Sequence, residues 1–385
     1  MKLPRVNLLV KILIAMGLGI AAGHIFPLWA GRLFATFNAV FSQLLGFLIP
    51  LIILGFVAPA ISDIGRRAGK MLVATALIAY AATTLSGLLS FGVGDAVFPH
   101  LISRGALTGV AEGHDLVPYF TVEIPPLMSV MTALVTAFTV GICLSLMKGE
   151  VLKQGLSEFR TIVEMTISGV IIPLLPLYIF GIFLNMTVSG QVISILTAFA
   201  KIIGVIFALH ILLLILQYCI AALFVKRNPF PLLWTMMPAY FTALGTQSSA
   251  ATIPVTLRQT IKMGVSEDTA GFVIPLCATI HMSGSVMKIV ACALALMIMQ
   301  GHAYDLGMMT GFICMLGISI VAAPGVPGGA IMASLGILGS ILGFSDSDQA
   351  LMIALYIAMD SFGTACNVTG DGFTALIIDR FFRRP

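Results

Sequence analysis

Residues 245–256 read GTQSSAATIPVT and residues 322–330 read AAPGVPGGA, each interrupting an otherwise apolar segment. A serine pair with Pro254 behind it, or the run Pro324-Gly325-Val326-Pro327-Gly328-Gly329, cannot continue a helix undisturbed. Proline removes an N–H and glycine frees the backbone. At membrane depth, backbone outside a helix persists only where protein or water satisfies its polar groups. Each break precedes a long apolar segment with polar residues inside it, so the order is break, helix, break, helix. That order reads as an internal repeat, and paired interruptions in two halves point to the binding site of a transporter. Two kinked helices packed through their glycines are the plainer alternative.

Composition sets the surroundings of these breaks. Of 385 residues 59% are hydrophobic and only 9% charged, with a mean hydropathy of +1.08. Too little charge is present to cover a soluble surface, so the chain reads as an all-α polytopic membrane protein. Apolar runs fall near 7–26, 37–61, 71–97, 127–147, 162–190 and 193–225, then less cleanly through 232–257, 266–299, 308–344 and 350–382. The first 230 residues read as six ordinary helices with short loops. Taking the N-terminus as cytoplasmic gathers nearly every Lys and Arg on that side, from Lys2 and Arg5 to Arg383 and Arg384. Only Arg32, Arg104 and Lys201 fall outside, and Lys288 lies within the membrane. The positive-inside rule thus puts both termini in the cytoplasm. The basic clusters are solvated anchors and carry no nucleic-acid reading. The opening stretch looks like a signal peptide but joins the topology as a retained first helix.

Other chemistries find little support. The six cysteines are scattered singly along apolar runs, as packing residues are. No G-x-S-x-G, P-loop or H-E-x-x-H occurs, and no soluble domain interrupts the chain. Gly370-Asp371 resembles the pairs of intramembrane aspartyl proteases, yet Asp360 shares its helix instead of facing it. An ion channel remains a further class, distinguished by substrate-independent current without concentrative uptake.

The last apolar run carries Asp360, Thr364, Asn367 and Asp371, at steps of 0, +4, +7 and +11. At about 3.6 residues per turn they fall on one stripe. Buried carboxylates in lipid cost at least about 2.5 kcal/mol each, so such residues normally face a cavity and handle ions or substrate.

These residues resemble the glutamate-transporter-like dicarboxylate/amino acid:cation symporter family over nearly the whole chain. Ser248, Ser249, Thr252, Pro254, Val255 and Thr256 match its serine-rich first hairpin tip. Gly325, Val326, Pro327, Gly328 and Gly329 match its second tip, G-V-P-G. Asp360, Thr364, Asn367, Gly370 and Asp371 match its last helix, D-x-x-R-T-x-x-N-x-x-G-D; Tyr80, Thr83 and Thr84 are similar to its Tyr-x-x-Thr-Ser cation site. The resemblance implies eight transmembrane helices plus two re-entrant hairpins in inverted repeats. It further implies a homotrimer in the prokaryotic inner membrane, each protomer working as an elevator. Residues 1–68 and 115–192 would form the scaffold, and 69–114 and 193–385 the transport unit, with the second hairpin as gate.

By the same resemblance Asp360 holds a substrate amine, and Asn367 with the backbone around Ser248 and Ser249 holds its carboxylate. Thr364 adds a hydroxyl, and Val326 and Gly329 of the second tip complete the site. Asp360 serving only as a partner for Lys288 is the alternative. Two departures stand out. The arginine that recognises an acidic side chain is replaced by Gly363, and the other position from which one could reach is Gln247. A second substrate carboxylate would therefore stay unpaired, which predicts a small neutral amino acid such as serine, threonine or alanine. An acidic amino acid or C4-dicarboxylate, paired elsewhere, is the same-fold alternative.

The second departure concerns coupling. Where the family carries N-M-D-G-T, this chain reads His281-Met282-Ser283-Gly284-Ser285. Sodium favours hard oxygen ligands, so the site shared with Tyr80, Thr83 and Thr84 has lost its charge. Asp371, Asn367 and the backbone carbonyl of Cys277 could form another. Ala323 stands where the family has a further hydroxyl. No cofactor is expected; Na+ is the expected coupling ion and H+ the alternative. Read as one helix, the segment puts His281, Ser285 and Lys288 on a single face. His281 could carry a proton in place of a lost sodium, or it is a neutral core histidine. Lys288 reads as a tethered cation paired with Asp371 or Asp360, or as a structural or snorkelling lysine.

Overall fold

The computed structural model describes residues 8–66, 69–107, 116–147, 149–320, 323 and 328–382. Among them every regular element is helical and none is a strand. The first six helices are α1 (Leu8–Ile25), α2 (Leu28–Arg66), α3 (Lys70–Leu101), α4 (Val130–Leu146), α5 (Val151–Thr166) and α6 (Ile172–Val188). A π-helical turn, Ile167–Ile171, joins the last two just ahead of Pro173 and Pro176. Then come α7 (Val192–Val225), α8 (Pro229–Thr235), α9 (Met237–Thr246), α10 (Ser249–Lys262), α11 (Glu267–Ile280) and α12 (Ser283–Gln300). The chain closes with α13 (Leu306–Ile320), α14 (Gly329–Leu342), α15 (Asp346–Ala358) and α16 (Asp360–Phe382).

Among the described residues six spans are long and apolar enough to cross a membrane; α15 and α16, bent by 64°, make up to a seventh, and α4 is shorter at 17 residues. Side chains such as Leu13, Ile14 and Leu18 on α1 and Ile193, Ile211 and Leu223 on α7 face outward. In water such patches drive aggregation; in lipid they are the proper exterior.

Two packing neighbourhoods emerge. Helices α1, α2, α4, α5 and α6 pack on one another. Around α16 lie α7, α9, α10, α11 and α12, and α3 runs along α12 and α13. Nearly every residue of α12 and α16 is buried, so polar groups there have no water to turn to.

The expectation of short loops in the first 230 residues fails between α3 and α4. Residues 102–107 and 116–129 form no helix. This connection is pinned by Leu116 N–H donating to Asn185 Oδ1 (2.8 Å), Tyr119 N–H to Thr36 Oγ1 (2.9 Å) and Arg32 Nε to the Val117 carbonyl (2.9 Å). Such partners lie far away in sequence and leave no local signature.

The first predicted break is a tight helical hairpin. Gln247 ends α9 in the left-handed region (φ 54°), and Ser248 caps α10, its hydroxyl accepting from Ala251 N–H at 3.2 Å. A non-glycine residue there costs roughly 1–2 kcal/mol, which the bond from Gln247 Nε2 to Ser361 Oγ (2.7 Å) helps offset. At the second break α13 ends at Ile320 and α14 begins at Gly329, with Gly328 left-handed (φ 79°). Pro324 to Pro327, including Val326, lie outside the described residues.

Candidate functional site

Asp360 opens α16 just after the bend, where the exposed N–H groups of a helix start favour a carboxylate. Its Oδ1 accepts from Lys288 Nζ at 2.9 Å and its Oδ2 from Gly328 N–H at 2.9 Å. One carboxylate thus ties the middle of α12 to the base of the second break. The Lys288 ammonium also sits 3.4 Å from the centre of the Tyr356 ring, within cation–π range. Lys288 is fully buried, its only carboxylate partner among the described residues being Asp360.

A cavity of about 40 Å³ lies against this group, lined by Gln247, Ser248, Ser249, Gly329, Asp360, Thr364 and Asn367. Ala278, Met282, Ser285, Ala330 and Tyr356 complete the wall. Predicted substrate residues from the first break, from Gly329 after the second and from α16 therefore meet at one place, while Val326 lies outside the described residues. Gly363 does not line it: a Cβ there would come within 2.8 Å of Lys288 Nζ and 2.9 Å of its Cε. The space that an arginine would enter is filled by this lysine.

Asn367 spends its side chain on the protein. Its Oδ1 accepts from Gly284 N–H (2.8 Å) and Ser285 N–H (3.2 Å), capping the start of α12, while Nδ2 donates to Ser285 Oγ at 3.0 Å. Tyr356 Oη donates to the same serine hydroxyl at 3.1 Å. A substrate carboxylate at Asn367 would have to exchange with one of these bonds.

Of the residues expected around a cation, Asn367, Asp371, Cys277 and Thr83 meet at the gap between α11 and α12, while Tyr80 and Thr84 lie against α13. His281 Nδ1 lies 3.0 Å from Asp371 Oδ1 and 3.3 Å from the Asn367 carbonyl. The Cys277 carbonyl accepts from His281 N–H at 2.9 Å. Oxygens that could hold a cation are thus gathered around one imidazole. On α3, Thr83 Oγ1 accepts from Met282 N–H at 3.2 Å, and Tyr80 Oη donates to the Cys314 carbonyl at 3.1 Å. Thr84 Oγ1, Gln217 Oε1 and His281 Nε2 are buried with no hydrogen-bond partner among the described residues. No cluster of three or more His, Cys, Asp or Glu able to hold a metal occurs among them.

The single face predicted for His281, Ser285 and Lys288 is corrected. The helix stops at Ile280 and restarts at Ser283, so His281 lies off α12 and turns to Asp371, while Lys288 turns to Asp360. Periodicity was carried across a break that has no proline in it. Tyr356 and Ser361 were missed as well. A tyrosine hydroxyl inside an apolar span needs a partner and was the available signal for Tyr356; Ser361 has none in the sequence.

A buried polar seam between two broken segments, inside a helical bundle with an apolar exterior, defines a membrane transport protein. Residues 8–381 match the description of the Sodium:dicarboxylate symporter family. The chain belongs to that family, and it is a transporter and not an enzyme. It is 25% identical over 403 residues to the serine/threonine transporter SstT of Acinetobacter baylyi, covering 98% of both chains. To the protein of that name from Acinetobacter baumannii it is 26% identical over 394 residues, covering 97% of this chain and 96% of the other. A shorter likeness, 32% over 159 residues, links 41% of this chain to 28% of excitatory amino acid transporter 4 of Mus musculus.

Proposed function

We propose that the protein is a secondary symporter for a small neutral amino acid of the serine, threonine or alanine kind, driven by Na+ or H+. The observation that carries this reading is the cavity wall, which holds one carboxylate, Asp360, and no Lys, Arg or His among the described residues. The nearest buried base, Lys288, lies behind Asp360 and is spent on it. A second substrate carboxylate would enter without a partner, at a cost of several kcal/mol. The full-length relatives named for serine and threonine support the same substrate class.

In this reading Asp360 receives the substrate ammonium, and Ser248, Ser249, Thr364, Asn367, Gly329 and Val326 hold the remainder. Coupling belongs to the group of His281, Asp371, Asn367 and Cys277, with Tyr80, Thr83 and Thr84 beside it. The extensive packing of α1, α2, α4, α5 and α6 on one another supports residues 1–68 and 115–192 as a scaffold, with α14 and α15 touching it from the other group. The helices gathered about α16 support 69–114 and 193–385 as the moving part of an elevator. A homotrimer with eight spans, two re-entrant hairpins and cytoplasmic termini in the inner membrane completes the proposal, the last supported by the Lys and Arg bias. The test is uptake into proteoliposomes of labelled amino acids under separately imposed sodium and proton gradients. Preferential aspartate uptake would sink the substrate assignment.

A further inference from the structure

A carrier that binds an ammonium on a buried carboxylate has a difficulty on the empty return. Once substrate has left, Asp360 is an ionised group at membrane depth, and moving it uncompensated is opposed by the low dielectric. Something must neutralise it: a free cation, a proton or a fixed side chain.

We propose that Lys288 is a counter-cation built into the substrate site, holding Asp360 whenever the substrate ammonium does not. Three features of the site fit this role. Lys288 Nζ donates to Asp360 Oδ1 at 2.9 Å from a fully buried position. The lysine is not among the cavity-lining residues while Asp360 is, so substrate and lysine reach the carboxylate from different sides. The Tyr356 ring, 3.4 Å from Nζ, keeps a face for the ammonium when the carboxylate turns to substrate.

Gly363 belongs to the same device. A Cβ at this position would meet Lys288 Nζ, Cε and Cδ at 2.8, 2.9 and 3.2 Å, so the lysine reaches Asp360 in this pose because position 363 has no side chain. The bond from Gly328 N–H to Asp360 Oδ2 ties the base of the second break to the neutralised carboxylate. Closure and neutralisation of the empty site thus share one group. The transporter needs no counter-transported cation for its return.

This proposal deepens the symporter reading and rests on it, and the experiment separates the two. Proteoliposomes are assayed for labelled serine in two modes, net uptake into substrate-free vesicles and exchange against luminal serine. Exchange never requires an empty return. For Lys288→Met the ratio of net uptake to exchange is expected to fall by about tenfold or more. An unchanged ratio overturns the proposal, and so does loss of both modes in a variant that still unfolds cooperatively. Should Lys288→Met fail to fold, Gly363→Ala decides. Its added methyl displaces only the flexible end of the lysine, keeps the charge, and is expected to lower the ratio in the same direction; no change overturns the proposal. If the unsubstituted protein exchanges no serine, threonine or alanine, the function reading fails, and the same ratio is read with aspartate.

Discussion

Position 363 offers a direct test of how the site sets its specificity. Arginine placed there alone would start from a Cβ 2.8 Å from Lys288 Nζ. A guanidinium held within about 4 Å of that ammonium would be repelled by about 4 kcal/mol at an effective dielectric of 20. That is a large fraction of the 5–15 kcal/mol typical of total stability, about the same scale as losing the fold. Gly363→Arg by itself should therefore express poorly or unfold early. Combined with Lys288→Met, the repulsion disappears and a guanidinium stands beside the cavity near Asp360 and Thr364. A charge-assisted bond from it to a substrate side-chain carboxylate is worth about 1.5–3 kcal/mol. The double variant should thus gain roughly ten- to a hundredfold for aspartate relative to serine. The assay is competition by unlabelled aspartate and serine for labelled serine exchange, with thermal unfolding in detergent as the stability control. Two results would refute the reasoning: a single Gly363→Arg variant as stable as the unsubstituted protein, or a folded double variant with no gain for aspartate.

Other substitutions probe neighbouring parts. Asn367→Ala strips the cap from Gly284 and Ser285 N–H and should cost about 2–4 kcal/mol, read as a lowered unfolding temperature. Gly370→Ala would press a Cβ against His281 Cε1 and set it 2.8 Å from Gln217 Oε1, so about 1–3 kcal/mol of stability should be lost. The same change should alter ion dependence, which uptake at varied sodium and pH will show. His281→Asn with Ser283→Asp replaces the imidazole by oxygen ligands; sodium stimulation of uptake should rise, and an unchanged sodium response would remove His281 from the coupling group.

The two breaks were legible because their causes are local. Ser248 is an N-cap residue that starts α10 directly after Gln247, and Gly328 supplies the left-handed start of α14, whereas Pro254 sits inside α10 and does not break it. The stripe from Asp360 to Asp371 was legible because α16 is one regular helix that starts at its first member. The break at His281-Met282 was not. It is held by Thr83 from α3 and Asn367 from α16, and a cap brought in from another helix leaves no trace next to the gap. For the same reason Gly363 could be read as a missing arginine but not as the slot for Lys288, which approaches from α12.

Asn367 joins the two ends of the stripe. Its backbone carbonyl faces His281 Nδ1, beside Asp371, while its side chain caps α12 and holds Ser285 in the cavity wall. Under the proposed reading, a cation or proton arriving at His281 and Asp371 would act on the same residue that shapes the wall next to Asp360. Coupling between two sites requires an element that both can bias. One residue with its main chain in one site and its amide in the other is the shortest such element. The cavity adds a constraint of its own. At about 40 Å³ it is far below the roughly 300–1,000 Å³ of ordinary ligand pockets, so the proposed substrate would need a wall to move. The base of the second break at Gly328 is tied to Asp360 by one hydrogen bond, whereas the first hairpin tip is fastened to α16 through Gln247 and Ser361. Under the symporter reading proposed above, opening at the second break would release a bond to the same carboxylate that the incoming ammonium would seek.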